Sequence, residues 1–331
     1  MPHPAFNRRQ LLALCAGTAG AVALPAARAQ AYPAKPIRVV VPYQAGGATD
    51  VIGRVFGEKL AQRLGQPVLI DNKAGAGGIL GTDTVAKAAP DGYTLLVSLS
   101  TSMLTNQFLY AKLPYDPRKE LALVSQLAAA PITLAVHPSL PVKTGPELLA
   151  YIAANQGKVS YGSYGVGSHA HLAGAHMSRV QKAEMVHVAY KGEAPMLQDL
   201  IGGQVQLAYA SALGVKPHAE TGRLRIVGVT GTRRMSVLPD VPTLLEQGMR
   251  DDVYSVVGFI GMAAPAGTPR EIIERVAREV QAIGQLEDVR TRITAMGFET
   301  AANGVRDFEA VYKKDLPIWE KLVAGSGARL D

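Results

Sequence analysis

One pattern constrains this chain more than any other: a short apolar strand, a glycine-rich turn, then an amphipathic helix, repeated along the chain. Ile37-Arg38-Val39-Val40-Val41 is β-branched and ends at Pro42. Ala45-Gly46-Gly47-Ala48-Thr49 follows, and apolar residues then fall at Val51, Ile52, Val55, Phe56, Leu60 and Leu64, a helical stripe stopped by Gly65. Pro67–Ile70 and Thr94–Ser98 read as further buried strands, with a helix over Gly78–Ala89 between them. Such alternation with short links predicts a mostly parallel sheet covered on both faces.

The same grammar restarts near Pro131. Strands are expected at 132–136, 159–161, 185–190, 205–209 and 224–229, and a further apolar run spans 256–262. Thr144-Gly145-Pro146-Glu147 and Thr268-Pro269-Arg270-Glu271 read as capping boxes that open helices. The remainder reads as helical to about Leu322, with Pro317 expected to kink or break it. So many elements exceed one domain of ~100–150 residues, so two α/β lobes are expected. Lobe 1 is placed at 30–130 plus 255–331 and lobe 2 at 131–254, with crossings near 128–132 and 250–256.

Residues 1–29 read as an address. Arg8-Arg9 precede an apolar run from Leu11 to Leu24, and Ala27-Arg28-Ala29 offers a signal-peptidase site. The paired arginines suit a Tat signal, and an ordinary Sec signal also often begins with two basic residues. Either predicts export to the periplasm. Removing this segment takes three arginines and no acid, lowering the formal charge from +7 to +4. No dense Lys/Arg block remains for nucleic acid. The one cysteine, Cys15, lies inside the segment, so the mature chain has no thiol, disulfide or cysteine metal site.

Two glycine-rich turns carry the functional signal: Tyr43-Gln44-Ala45-Gly46-Gly47-Ala48-Thr49-Asp50 and Tyr161-Gly162-Ser163-Tyr164-Gly165-Val166-Gly167-Ser168-His169. A helix N-terminus leaves backbone N–H groups unpaired and carries a partial positive charge, so it attracts anions without Arg or Lys. In parallel sheets such turns lie at the carboxyl ends of strands, where open α/β folds bind ligands. One per half suits a carboxylate held in a central cleft. Either turn could alternatively serve only as a tight link, with Thr49 or Asp50 capping its helix. Ser98–Ser102 would reach the cleft rim or form an ordinary polar turn, and Lys191-Gly192-Glu193 reads as an exposed loop. His169, His171 and His176 are badly spaced for zinc, and no nucleophile elbow, P-loop or carboxylate pair is present. The sequence therefore points to no catalytic residue, metal or cofactor. His169, in the first turn of its helix, could donate to a ligand oxygen.

The chain resembles the tripartite tricarboxylate transporter receptors of the Bug, or TctC-like, type. The resemblance rests on ordered blocks: Tyr32–Ile37, Ala45–Asp50, Gly75-Ala76-Gly77-Gly78, Pro90–Leu96, Tyr161–Ser168, His187–Gly192, Gly202–Val205, Leu238–Thr243 and Ala264–Pro269. It implies a periplasmic binding protein of the type II-like Venus flytrap architecture, with two Rossmann-like lobes that close on a small carboxylate. Expected partners are that ligand and the permease subunits of a tripartite transporter, with the receptor itself a monomer and nucleic acid excluded. A second reading passes the ligand-bound shape to a periplasmic domain of a sensor kinase. The resemblance further implies that the two turns clamp the ligand carboxylate, largely through backbone N–H groups and waters. The candidate ligand-binding set is Tyr43, Ala45, Gly46, Gly47, Ala48, Thr49 and Asp50; Ser100 and Thr101; Gly162, Ser163, Gly165, Gly167, Ser168 and His169; and Ala210 with Ser211. Many relatives carry an acid where this chain has Ala210, which tilts the expectation from amino acids towards plain carboxylates. An aromatic that is often Trp is here Phe259.

Overall fold

The computed structural model describes residues 32–331; the candidate leader over 1–29 lies outside the described residues. Strand β1 (Ile37–Val41) buries every residue except Arg38, which is half-buried. Helix α1 (Ala48–Leu64) follows the first glycine-rich turn and turns Ile52, Val55, Phe56 and Leu60 inward. Strand β2 (Val68–Asn72) begins one residue later than the apolar run predicts and extends through the polar pair Asp71-Asn72. Helix α2 (Ile79–Ala86) and strand β3 (Thr94–Leu99) complete this stretch. Both β2 and β3 pair in parallel with β1, so the carboxyl ends of all three strands share one edge.

The first sheet is mixed rather than mostly parallel. Strand β4 (Leu121–Ala130) and strand β10 (Gly258–Pro265) pair antiparallel, and β10 is inserted antiparallel between β3 and β4. The short β11 (Glu299–Thr300) adds an antiparallel edge beside β4. The order is β11-β4-β10-β3-β1-β2. All eight residues of β10 are buried, as its uncharged Gly-Phe-Ile-Gly-Met-Ala-Ala-Pro sequence allows for a central strand.

The second sheet has five strands in the order β7-β6-β8-β5-β9. They are β5 (Thr133–Val136), β6 (Ser160–Ser163), β7 (Val186–Ala189), β8 (Leu207–Ala210) and β9 (Arg225–Val229). Parallel β7, β6 and β8 bring their carboxyl ends to one edge, and β5 runs against β8 and β9. The chain passes between the sheets at Pro131-Ile132 and returns after β9, entering β10 at Gly258.

Helix starts follow local chemistry. In the helix Gly145–Ala154, the Thr144 hydroxyl accepts from the Glu147 N–H at 3.3 Å, while the Glu147 carboxylate accepts from Lys143 N–H rather than from the cap residue itself. The second expected box does not form. The Thr268 hydroxyl donates back to the Pro265 carbonyl at 2.8 Å, and Pro269 takes the N-cap position of the helix Arg270–Gly284. That helix buries Ile273, Val276, Val280 and Ile283 on one face. The last long helix runs Val305–Ser326 with Pro317 inside it, so this proline does not end it. Its Phe308 lies against Gly261 of β10, where an added Cβ would come within 2.6 Å of the ring. Further along, its Trp319 meets lobe 2, as described below. Among the described residues, no helix is long and apolar enough to cross a membrane.

Candidate functional site

The turn between β1 and α1 is braced from beneath. Asp50 is buried, and its carboxylate accepts from Gly46 N–H at 2.8 Å, Arg54 Nε at 3.0 Å and Asn72 Nδ2 at 2.9 Å. Asn72 also donates to the Tyr43 carbonyl at 3.1 Å, tying β2 to the turn. Burial alone would raise the Asp50 pKa. The hydrogen bonds from Arg54, Gly46 and Asn72 outweigh it and hold the carboxyl below its ordinary value. Asp50 is thus committed to the shape of the turn. Ala45, Gly46 and Gly47 stay exposed, Ala48 is half-buried and Thr49 is buried. Gly47 is the N-cap of α1 and brings no side chain to its first-turn amides. Those amides are what an anion would meet.

Tyr43 and the serine run behave differently from the expected rim. The Tyr43 hydroxyl is buried, and an added Cβ at Gly78 would lie 2.8 Å from it. It points into lobe 1. Ser98, Ser100 and Ser102 are all buried. Ser98 and Ser102 share a 2.6 Å hydrogen bond, and Thr82 donates to Ser102 at 2.9 Å. The Ser100 hydroxyl accepts from Phe259 N–H at 3.3 Å and joins β3 to β10. Thr101 opens a π-helical turn over Thr101–Thr105 and is half-buried.

Lobe 2 presents three helix starts on the edge that carries the ends of β6, β7 and β8. They open α6 (His169–Val180), α7 (Glu193–Ile201) and α8 (Ala212–Glu220), here numbered after five helices of four or more residues in residues 48–154. Ser168 caps α6 by accepting from His171 N–H at 3.3 Å, and Ser211 caps α8 by accepting from Gly214 N–H at 3.0 Å. Gly192 begins α7 without a side-chain cap. Ala210 is the buried last residue of β8.

The start of α8 is already filled from within. Glu193, expected in an exposed loop, is half-buried and accepts from the Ser211 hydroxyl at 2.6 Å and the Ser211 N–H at 3.2 Å. Burial raises its pKa, and the bonds from Ser211 oppose the rise. The protein's own carboxyl therefore takes the position an external anion would seek on α8. That leaves the α6 turn as the open anion-friendly start carrying predicted residues in this lobe.

The α6 turn is shaped by its glycines. Gly165 has φ +148° and Gly167 φ +76°, conformations that side chains disfavour. Gly167 N–H donates to His171 Nδ1 at 3.1 Å. Buried Ser163 lies 2.7 Å from His187 Nε2, donates to the Gly165 carbonyl at 3.1 Å and accepts from Gly165 N–H at 3.4 Å. Gly162 is buried in β6, where an added Cβ would sit 2.9 Å from Met196. The turn also touches lobe 1, because a Cβ on Gly167 would come within 2.5 Å of Leu109.

The His169 ring does not face the open side of the turn. It meets Trp319 edge-on at 5.0 Å, and neither ring nitrogen completes a hydrogen bond, although the backbone at Val253 approaches the ring. Burial pushes its pKa down to about 4. Its backbone N–H, not its imidazole, belongs to the turn. Sequence reasoning missed His171, His187, Glu193 and Asn72 as parts of the site. Only the proximity of the two histidines to the glycine-rich blocks could have signalled them.

Residues 52–327 match the family model described as the tripartite tricarboxylate transporter family receptor. BugT of Bordetella pertussis is 34% identical over 329 residues, covering 98% of this chain and 100% of that protein. Among solved structures, Rhodopseudomonas palustris Rpa4515 with adipate is 31% identical with a TM-score of 0.77, covering 90% of this chain and 100% of that one. MatC from the same species, with bound malate, is 30% identical with a TM-score of 0.72, covering 88% of this chain and 100% of that one.

Proposed function

Because the chain belongs to the tripartite tricarboxylate transporter receptor family, we propose that it is an exported receptor that captures a small carboxylate by closure of its two lobes and hands it to a membrane permease. A receptor of this family binds its solute and is not an enzyme. Lobe 1 is taken as 30–130 plus 255–331 and lobe 2 as 131–254, and closure would bring the α1 and α6 turns together on the ligand. One observation carries the reading. Each lobe ends its parallel strands in a glycine-rich turn that opens a helix of 12 residues or more, and the α1 start has no side-chain cap. The ligand carboxylate is assigned to the backbone N–H groups of Gly47, Ala48 and Thr49 on one side, and to that of His169, in the first turn of α6, on the other. Ser163 supports the second turn from beneath. The ligands of the two R. palustris proteins, adipate and malate, make dicarboxylates the first compounds to try.

The test is a thermal-shift screen against mono-, di- and tricarboxylates, acidic amino acids and aromatic acids. A ligand at 100 times its Kd stabilises the native state by about 2.7 kcal/mol, which raises the unfolding midpoint visibly. A shift confined to one acid class names the substrate class. A flat screen, repeated after unfolding and refolding to strip bound solute, overturns the carboxylate reading.

A further inference from the structure

We infer that His171 and His187 are positioning residues: a stacked imidazole pair that fixes the ligand-facing turn of lobe 2 by spending one ring nitrogen on each end of it. The inference rests on the reading of that turn as a carboxylate clamp. His171 comes from α6 and His187 from β7, and their rings stack at 4.0 Å with an interplanar angle of 14°. Tyr161 of β6 extends the stack, its ring 4.9 Å from that of His187. A stack alone would need only flat rings, and phenylalanine would serve. Here each imidazole also reaches the turn: His171 Nδ1 receives the Gly167 N–H, and His187 Nε2 meets the Ser163 hydroxyl that bonds Gly165 on both its N–H and C=O.

The donors and acceptors fix the tautomers. An amide can only donate, so His171 Nδ1 must be unprotonated and its hydrogen must sit on Nε2. Ser163 has one hydroxyl hydrogen. If it goes to the Gly165 carbonyl, His187 must donate from Nε2 to the Ser163 oxygen, whose second lone pair takes the Gly165 N–H. This assignment satisfies every contact; the reverse leaves the Gly165 carbonyl without the hydroxyl. The pair thereby braces the two positive-φ glycines of the turn, Gly167 directly and Gly165 through Ser163.

Two measurements test this on the intact protein. In ¹⁵N spectra of the ligand-free protein, His171 should show an unprotonated Nδ1 with a scalar coupling across the hydrogen bond to the Gly167 amide, and His187 should carry its proton on Nε2. A proton on His171 Nδ1 overturns the inference. Separately, His171→Phe and His187→Phe keep a flat ring but remove the contacts to the turn. Each should weaken binding of malate or adipate, whichever the unsubstituted protein takes, at least tenfold with a near-unchanged unfolding midpoint. Ser163→Ala gives a third route to the same loss if either histidine variant fails to fold. Unchanged affinity in the folded variants overturns the inference. If the unsubstituted protein binds neither acid, the choice of dicarboxylates fails, and the tautomers and coupling alone decide the positioning role.

Discussion

Gly47 separates a role in binding from a role in folding. Its φ is −75°, an ordinary value, and an added Cβ would meet only the Gln44 carbonyl at 3.6 Å. A side chain therefore fits the free protein, yet it would project from the N-cap where the ligand carboxylate is assigned. Gly47→Leu should keep the unfolding free energy within about 1 kcal/mol, the usual scale of an N-cap change, while abolishing the ligand-induced thermal shift. Retention of the shift would move the carboxylate off the α1 turn. Both glycine-rich turns were legible in the sequence because a glycine-rich link between a strand and a helical stripe is a local property. What each polar side chain faces was not. Ser98, Ser100 and Ser102 look like a polar rim but are buried against Thr82 and β10, and Glu193 looks solvent-exposed but sits on Ser211. Those outcomes depend on strands brought together across the sheet, which residue type does not encode.

Helix α6 joins the two lobes as an element, with the His169 ring against Trp319 of the C-terminal helix and Gly167, just before it, against Leu109. The folded state holds His169 down to about 4 from an ordinary 6.5, chiefly by burial. Between those values the unfolded chain binds a proton that the folded ring refuses. Stability therefore falls as pH drops from 6.5 towards 4, by about 1.4 kcal/mol per pH unit for one such group. His169→Phe keeps an aromatic edge for Trp319 and removes two unpaired ring nitrogens. It should raise stability by about 1–3 kcal/mol near neutral pH, and the gain over the unsubstituted protein should widen as pH falls from 6.5 to 4. Denaturant unfolding at pH 7.5 and pH 5 reads this directly; a gain that does not widen would mean that His169 takes up its proton while folded. Element boundaries were legible where the signal was local, as at Thr144. They were misread at Thr268, where the hydroxyl prefers a carbonyl three residues back to the helix ahead.

On the scale of the whole molecule, the strand least expected from the sequence lies just past the second crossing between the sheets. The apolar run near 256–262 gives no hint that β10 enters between β3 and β4 and turns a parallel sheet into a mixed one. Beside its start lies a hollow of about 260 Å³, lined from both sides of the crossing by Ala129, Pro131, Thr230, Val256 and Asp315. Asp315 is only 7% exposed, and burial lifts its pKa to about 6, partly opposed by Lys314. A carboxyl raised in the folded state favours folding fully below its unfolded value of 3.8 and loses that contribution as pH rises through 6. Above pH 7 the ionised group costs about 3 kcal/mol, an upper figure from 1.4 kcal/mol per pH unit. Asp315→Asn preserves shape while removing the charge. It should therefore stabilise the protein at pH 7.5, with a gain that shrinks steadily as pH falls towards 4. The same gain at both pH values would show that packing, and not ionisation, sets the cost at the crossing. A gain confined to high pH would place an unpaired charge beside the crossing between the two sheets.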